Sequence, residues 1–317
     1  MEKSPMGKIQ QYHLAEKIGS GFAGDIYHAW DSGLDRDVAI RIIRPELAKD
    51  DSFRAQMMTT ALAVRDLSHP HVAKCYSVDE VDGQLIIVTE YIQGRTLKSV
   101  VSQKPLDFKE FLKLSLEVTS ALKAIHQLHI SHMYVTSGNV IMQPDGGSKL
   151  TCLGTAPTSK MAEKFENLIS PDKLIYLAPE LLVRQSGNEI SDQYSLGVVL
   201  FEALTGNLPF EESSREQLIK IIQNPVLSKK PFEEIEHGDI YLLITKMTAT
   251  LPEDRFRDIN ELIATIKEID ISQNDNNRSQ NAMHTTRSAL KSRFYLMTSL
   301  AFFLLVLFWL IVKGLSG

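Results

Sequence analysis

Cysteine is scarce in this sequence: only Cys75 and Cys152 occur in 317 residues. Two thiols build no disulfide scaffold, and a cysteine-based zinc site needs more ligands. A reducing compartment suits them better. A basic excess is also missing. Lys and Arg number 34 against 39 Asp and Glu, a formal net charge of −5, so no nucleic-acid partner is expected. The N-terminus, MEKSPMGKIQQYHLAEKIG, has no apolar run, and no signal peptide is expected there. Internal repeats are lacking as well. What is present is a hydrophobic content of 44%, enough to fill the core of one large domain or two lobes.

The end of the chain differs from the rest. Residues 294–312, FYLMTSLAFFLLVLFWLIV, carry no charge. A helix of about 19 residues spans roughly 28 Å, close to the hydrocarbon thickness of a bilayer. Such a run is apolar on every face, which a core helix seldom is. It reads as a single transmembrane helix. Arg287, Lys291 and Arg293 precede it and only Lys313 follows. The positive-inside rule then places the preceding bulk on the cytoplasmic side, with a C-terminal anchor. Residues 271–293 are polar and rich in Asn, Gln and Ser, and read as a flexible juxtamembrane linker.

Ahead of the linker, two patterns follow one another. Up to residue 92 the chain is strand-rich, with runs expected at 12–18, 25–30, 37–43 and 85–91 and one helix at 53–67. From residue 93 helical periodicity dominates, with helices expected at 108–129, 192–205, 215–222, 240–248 and 259–269. Short strands are expected at 140–142 and 149–152, around the turn QPDGG. A β lobe followed by an α lobe is an α+β layout.

Between the first two strand runs lies IGSGFAG, with Gly19, Gly21 and Gly24 in G-x-G-x-x-G spacing. Glycines let backbone amides approach phosphates closely. A dinucleotide fingerprint would be followed by a helix, whereas here a strand follows. Further motifs come in order: DVAIRII, LSHPHVAKCY, IVTEYIQGRTL, ISHMYVTSGNVIM, KLTCLG, IYLAPE, SDQYSLGVVLFEALTGNLPF and PEDRF. Through them the chain resembles the bacterial eukaryotic-like Ser/Thr protein kinases over residues 10–270. The resemblance implies a two-lobed protein-kinase fold, with a β-rich N-lobe at 10–92 and an α-rich C-lobe at 93–270.

It also implies a site, position by position. The family's nucleotide-binding lysine falls on Arg41, and its glutamate partner on Thr60. No carboxylate occurs between Phe53 and Arg65, so a small shift of register does not restore the pair. The catalytic aspartate falls on Tyr134, whose ordinary pKa near 10 makes a poor base. The lysine two residues later falls on Thr136, and the arginine before the base on Met133. The aspartate of the metal-binding D-F-G triplet falls on Cys152, a soft ligand ill matched to Mg2+. Asn139 is kept.

A nucleotide would meet Gly19, Gly21, Gly24 and Arg41 at its phosphates. Its adenine would meet Ile26, Ala39 and Ile141, with Thr89 as gatekeeper and Glu90 and Ile92 on the hinge backbone. The same apolar residues would also serve as ordinary packing. His132, Gly154, Glu180, Asp192 and Arg255 resemble the family's structural set, and Val64 and Leu153 its interlobe column. No metal site is expected, and His126, His129 and His132 read as packing and loop support. Thr155, Thr158, Ser159 and Ser170 read as solvated residues of the activation-segment region.

The resemblance therefore implies kept architecture and lost chemistry. The expectation is a membrane-tethered pseudokinase that acts as a signalling scaffold or allosteric partner of a protein, either a true kinase or its substrate. ATP is the ligand implied, without Mg2+. The alternatives are an active atypical Ser/Thr kinase or other ATP-dependent transferase, and an anchored structural protein whose pocket is filled by Phe22, Tyr134 or Arg41.

Overall fold

The computed structural model describes residues 7–81, 83–151, 169–183, 187–210, 214–234 and 238–271. Cys152, Leu153, Gly154, Thr155, Thr158 and Ser159 lie outside the described residues, as do the linker from 272 onward and the apolar run 294–312. Among the described residues no helix is long and apolar enough to cross a membrane. The chain divides into two compact units, Met1–Lys267 and Glu268–Gly317. Of the second, residues 268–271 are described and are helical.

The N-lobe is a six-stranded antiparallel sheet in the order β1-β2-β3-β4-β6-β5. Its strands are β1 (Gly7–Ile9), β2 (Tyr12–Ser20), β3 (Gly24–Asp31), β4 (Arg36–Ile43), β5 (Cys75–Val81) and β6 (Gln84–Glu90). Side chains alternate across a strand, so each strand serves two faces. Val38 and Ile40 of β4 join Ile86 and Val88 of β6 in a buried cluster with Tyr12, Leu14 and Ala29. The alternate residues Ala39 and Arg41, opposite Thr89 and Ile87 in the register, turn to the other face, which walls a cleft. Helix α1 (Pro45–Ala48) leads into α2 (Asp51–Val64), where Asp50 accepts from the amides of Ser52 and Phe53. The sheet begins before residue 10, because β1 pairs with β2. Neither β1 nor β5 carries the hydrophobic alternation that would announce a strand. Both are edge strands, held by the neighbour's backbone rather than by two buried faces.

The C-lobe adds a three-stranded sheet of β7 (Arg95–Thr96), β8 (Val140–Met142) and β9 (Ser148–Leu150). Its helices are α3 (Leu97–Val101), α4 (Phe108–His126), α5 (Pro171–Leu174), α6 (Pro179–Leu182), α7 (Glu189–Thr205), α8 (Arg215–Gln223), α9 (Lys230–Glu234) and α10 (Gly238–Met247). Residues 259–267 are also helical. Helix α7 is buried all round from Ser191 to Leu204, which makes it the axis of the lobe. Helices α4 and α10 pack on it. Helix α4 starts at a reciprocal cap between Asp107 and Glu110. It ends at His126 rather than His129, because His129 adopts φ +56° and leaves the helical region.

Candidate functional site

A cleft of about 270 Å3 opens between the lobes. Gly19, Gly21, Ile26, Ala39 and Arg41 line it from the N-lobe, with Glu90 at the end of β6 and Ile92 in the irregular segment after it. Tyr134, Asn139 and Ile141 line it from the C-lobe, and Thr60 from α2. Residues far apart in sequence therefore meet at one cavity. Phe22 is 1% exposed and does not line the cleft. Tyr134 and Arg41 do line it, yet the cleft stays open, which removes the filled-pocket expectation.

Gly24 is the sequence candidate that does not line the cleft. Its φ is +150°, and a Cβ there would sit 1.9 Å from the carbonyl oxygen of Ile42. The glycine lets β3 and β4 approach, and touches no ligand space. Gly24→Ala is expected to cost roughly 3 kcal/mol or more from strain and clash together. A thermal melt checks this, and a melting point unchanged from wild type contradicts it.

The glycine loop is tied down from within. The Gly21 amide donates to the Gly24 carbonyl at 3.0 Å. Arg44 donates from Nε to the Phe22 carbonyl and from Nη2 to the Gly21 carbonyl, each at 3.1 Å. Arg41 Nη1 reaches the Gly24 carbonyl at 3.4 Å and lies 2.9 Å from where a Gly21 Cβ would be. The Arg41 guanidinium thus sits directly beneath the loop. Sequence reasoning missed Arg44, since no local pattern marks an arginine that turns back onto a preceding hairpin.

On the C-lobe wall, Tyr134 is 5% exposed, and its carbonyl accepts from Asn139 Nδ2 at 2.9 Å. His132 is fully buried. Its Nδ1 accepts from the Tyr134 amide at 3.3 Å, which leaves Nε2–H to donate to the Thr151 carbonyl at 2.9 Å. Burial lowers the pKa of this imidazole, in keeping with a neutral ring. Below the loop, Asp192 of α7 accepts from the His132 amide at 2.8 Å, the Met133 amide at 2.6 Å and His126 Nε2 at 2.9 Å. Met133 holds φ +65°, and Asp192 anchors that turn. Glu180 and Arg255 form a bidentate pair with both contacts at 2.8 Å.

At the hinge, Glu90 is ion-paired with Lys149 of β9. Cys75 also lines the cleft, and burial pushes its thiol up to about 11, so it is an unreactive wall residue at neutral pH.

The protein kinase domain family matches residues 12–278. The chain belongs to the protein kinase family. Among curated relatives, the serine/threonine-protein kinase PrkC of Bacillus subtilis is 33% identical over 261 residues, which cover 81% of this chain and 40% of PrkC. The serine/threonine-protein kinase PknB of Mycobacterium tuberculosis is 29% identical over 274 residues, covering 83% of this chain and 43% of PknB. The chain spans about two fifths of the length of the curated relatives it matches. The crystal structure of the Mycobacterium tuberculosis PknI kinase domain superposes with a TM-score of 0.67 at 22% identity, covering 85% of this chain and 99% of that one. That likeness speaks to the two-lobed fold.

The kinase domain therefore holds a family cleft with unusual contents. Catalysis in this family uses a Lys–Glu pair, a catalytic-loop Asp and two Mg2+ held by an Asp and an Asn. The residues that the sequence resemblance sets at these positions, Arg41, Thr60, Tyr134 and Asn139, all line the cleft. Among the described residues Glu90 is the one carboxylate lining the cleft, and it is bound by Lys149. Mg2+ requires hard oxygen ligands. Among the described lining residues Asn139 offers one such oxygen, and Cys152 lies outside the described residues.

Proposed function

We propose that this kinase-family chain is a pseudokinase that works by binding. It is held at the cytoplasmic face of a membrane by residues 294–312, with 271–293 as tether, and it engages a protein partner, a true kinase or its substrate. Tethering raises the effective concentration of partners on the same membrane. Its cleft takes ATP without Mg2+ and passes the occupied or empty state to that partner.

One observation carries the loss of catalysis. The cleft is open and family-shaped, but the residue at the position of the base is a buried tyrosine, and α2 lines the cleft with Thr60 at the position of the family's glutamate. Phosphoryl transfer relies on positioning and charge stabilisation. Each missing group should cost about 3–4 kcal/mol of transition-state stabilisation, on the scale of one oxyanion donor. Two or three such losses leave turnover below detection.

The test is transfer of labelled phosphate from ATP to the chain itself or to a generic protein substrate, with Mg2+ or Mn2+ present. No transfer above background is expected. Transfer that disappears in Asn139→Ala overturns the reading. That result would favour an atypical Ser/Thr kinase, for which the Asn139 hydrogen bond to Tyr134 is the supporting geometry.

A further inference from the structure

Helix α2 (Asp51–Val64) has two faces, and the cleft uses one of them. Phe53, Met57, Thr60 and Val64 are buried, and the last three line the cleft. The opposite face is exposed at Ala55, Met58, Thr59, Leu62 and Ala63. A helix at a protein surface ordinarily turns charged and polar groups to water. Here no charged residue occurs from Ala55 to Val64. The two large side chains of the outer face, Met58 and Leu62, are 43% and 63% exposed. Scattered exposed apolar residues are ordinary, whereas a contiguous apolar surface marks an interaction site.

Charges stand at the two ends of this face. Asp51 in the first turn is exposed, and so is Arg65, whose backbone continues the helical path at φ −53° and ψ −41°. Residues 51, 55, 58, 62 and 65 follow in steps of four and three, the spacing of a helix-pairing seam. The seam is balanced about Met58. Asp51 and Arg65 lie equally far from it on either side, about 10 Å along the axis. A second copy laid antiparallel on a two-fold axis at Met58 brings Asp51 of each copy to Arg65 of the other. It also sets the small Ala55 of each beside the large Leu62 of the other. A two-fold interface requires this property, that both members of each contact lie on the same patch. Within one chain Arg65 has Asp66 at 3.6 Å, but both side chains are exposed, at 65% and 88%. Such a surface pair holds little energy, so it does not keep Arg65 from a new partner.

We propose that the outer face of α2 is the contact between two copies of this chain, paired antiparallel about Met58 and closed at each end by an Asp51–Arg65 ion pair. The occupant is a second copy because the charges and side-chain sizes complement themselves. The contact is independent of nucleotide binding and of transfer, although it lies on the helix whose inner face walls the cleft.

The test is cross-linking of the full 317-residue chain, purified in detergent, with a short bismaleimide over a range of protein concentrations. Met58→Cys is expected to give a covalent dimer about tenfold above wild type, whose thiols are Cys75 and Cys152. Leu128→Cys, at an exposed apolar position elsewhere, is expected to stay at the wild-type level. Arg65→Asp added to Met58→Cys sets like charges together and should return the yield to that level. Adding Asp51→Arg as well reverses both charges and should restore the dimer. Thermal melts report that each variant is folded, as exposed substitutions of this kind usually are. Should Arg65→Asp not fold, Leu62→Lys in the Met58→Cys chain is read in its place, with the same loss expected. No dimer from Met58→Cys overturns the proposal, and so does an equal yield from Leu128→Cys. A yield indifferent to the folded charge or Leu62 variant also overturns it, since association through residues 294–312 alone would behave so. An adduct with a protein of different mass in place of the dimer assigns the face to another partner and overturns it equally.

Discussion

Arg255→Ala is expected to destabilise the domain by about 3–5 kcal/mol, the cost of leaving one member of a buried ion pair alone. The Arg255 side chain is 0% exposed and that of Glu180 is 5% exposed. Arg255 also donates to the carbonyls of Ala249 at 2.9 Å, Ile190 at 3.2 Å and Thr250 at 3.2 Å. Ser191 donates to the same Glu180 carboxylate at 2.6 Å. One arginine thus ties α6 to the start of α7 and to the loop after α10. Its removal strands a buried carboxylate and three carbonyls. Denaturant unfolding of wild type and variant measures the difference, and a loss under 1 kcal/mol would contradict the role.

The same pair sets an acid limit. Burial by itself would raise the pKa of Glu180, but the hydrogen bonds and charge of Arg255, with Ser191, overcome it and hold the carboxyl below its ordinary value of 4.5. A carboxyl with a depressed folded-state pKa adds stability above its unfolded value. That contribution is lost as pH falls through the folded value. The gap in stability between wild type and Arg255→Ala should therefore be full at neutral pH and shrink below about pH 4.5. A gap that stays constant into acid would show that the packing of Arg255, not its charge, carries the effect.

Asp192→Ala is the second large effect. It leaves the His132 and Met133 amides without their buried acceptor. Each orphaned buried donor costs about 1–3 kcal/mol, so the pair should cost about 2–6 kcal/mol. The positive φ of Met133 adds to this, since the strained turn loses what holds it. Hydrogen exchange at the amides of His132 and Met133 should accelerate more than at amides in α4 or α10. Uniform acceleration across the lobe would instead mean global destabilisation with no special hold on the catalytic loop. Both variants act on architecture, at residues that the sequence resemblance sets in the family's structural set.

The order of lobes was legible in the sequence. Strand alternation before residue 92 and helical periodicity after it both report local burial, and burial repeats with the period of the element. Helix α4 and strand β4 lie within a few residues of their expected bounds. Edge strands β1 and β5 were not legible, because a strand with one paired side needs little hydrophobic alternation. The chemical content of the cleft was also legible. Tyr134, Thr60 and Arg41 carry or lack a functional group wherever they are placed, and motif order put them at one site.

What the sequence by itself determined, then, is the kind of groups this cleft has. Only the tertiary structure decided how those groups are arranged. Arg44 turns back to hold the glycine loop, Lys149 reaches Glu90 across 59 residues, and Gly24 serves a backbone approach instead of a ligand. The physical reason is the same in each case. A periodic pattern reports which face of an element is buried, whereas a contact between distant segments depends on how the elements pack and leaves no local trace.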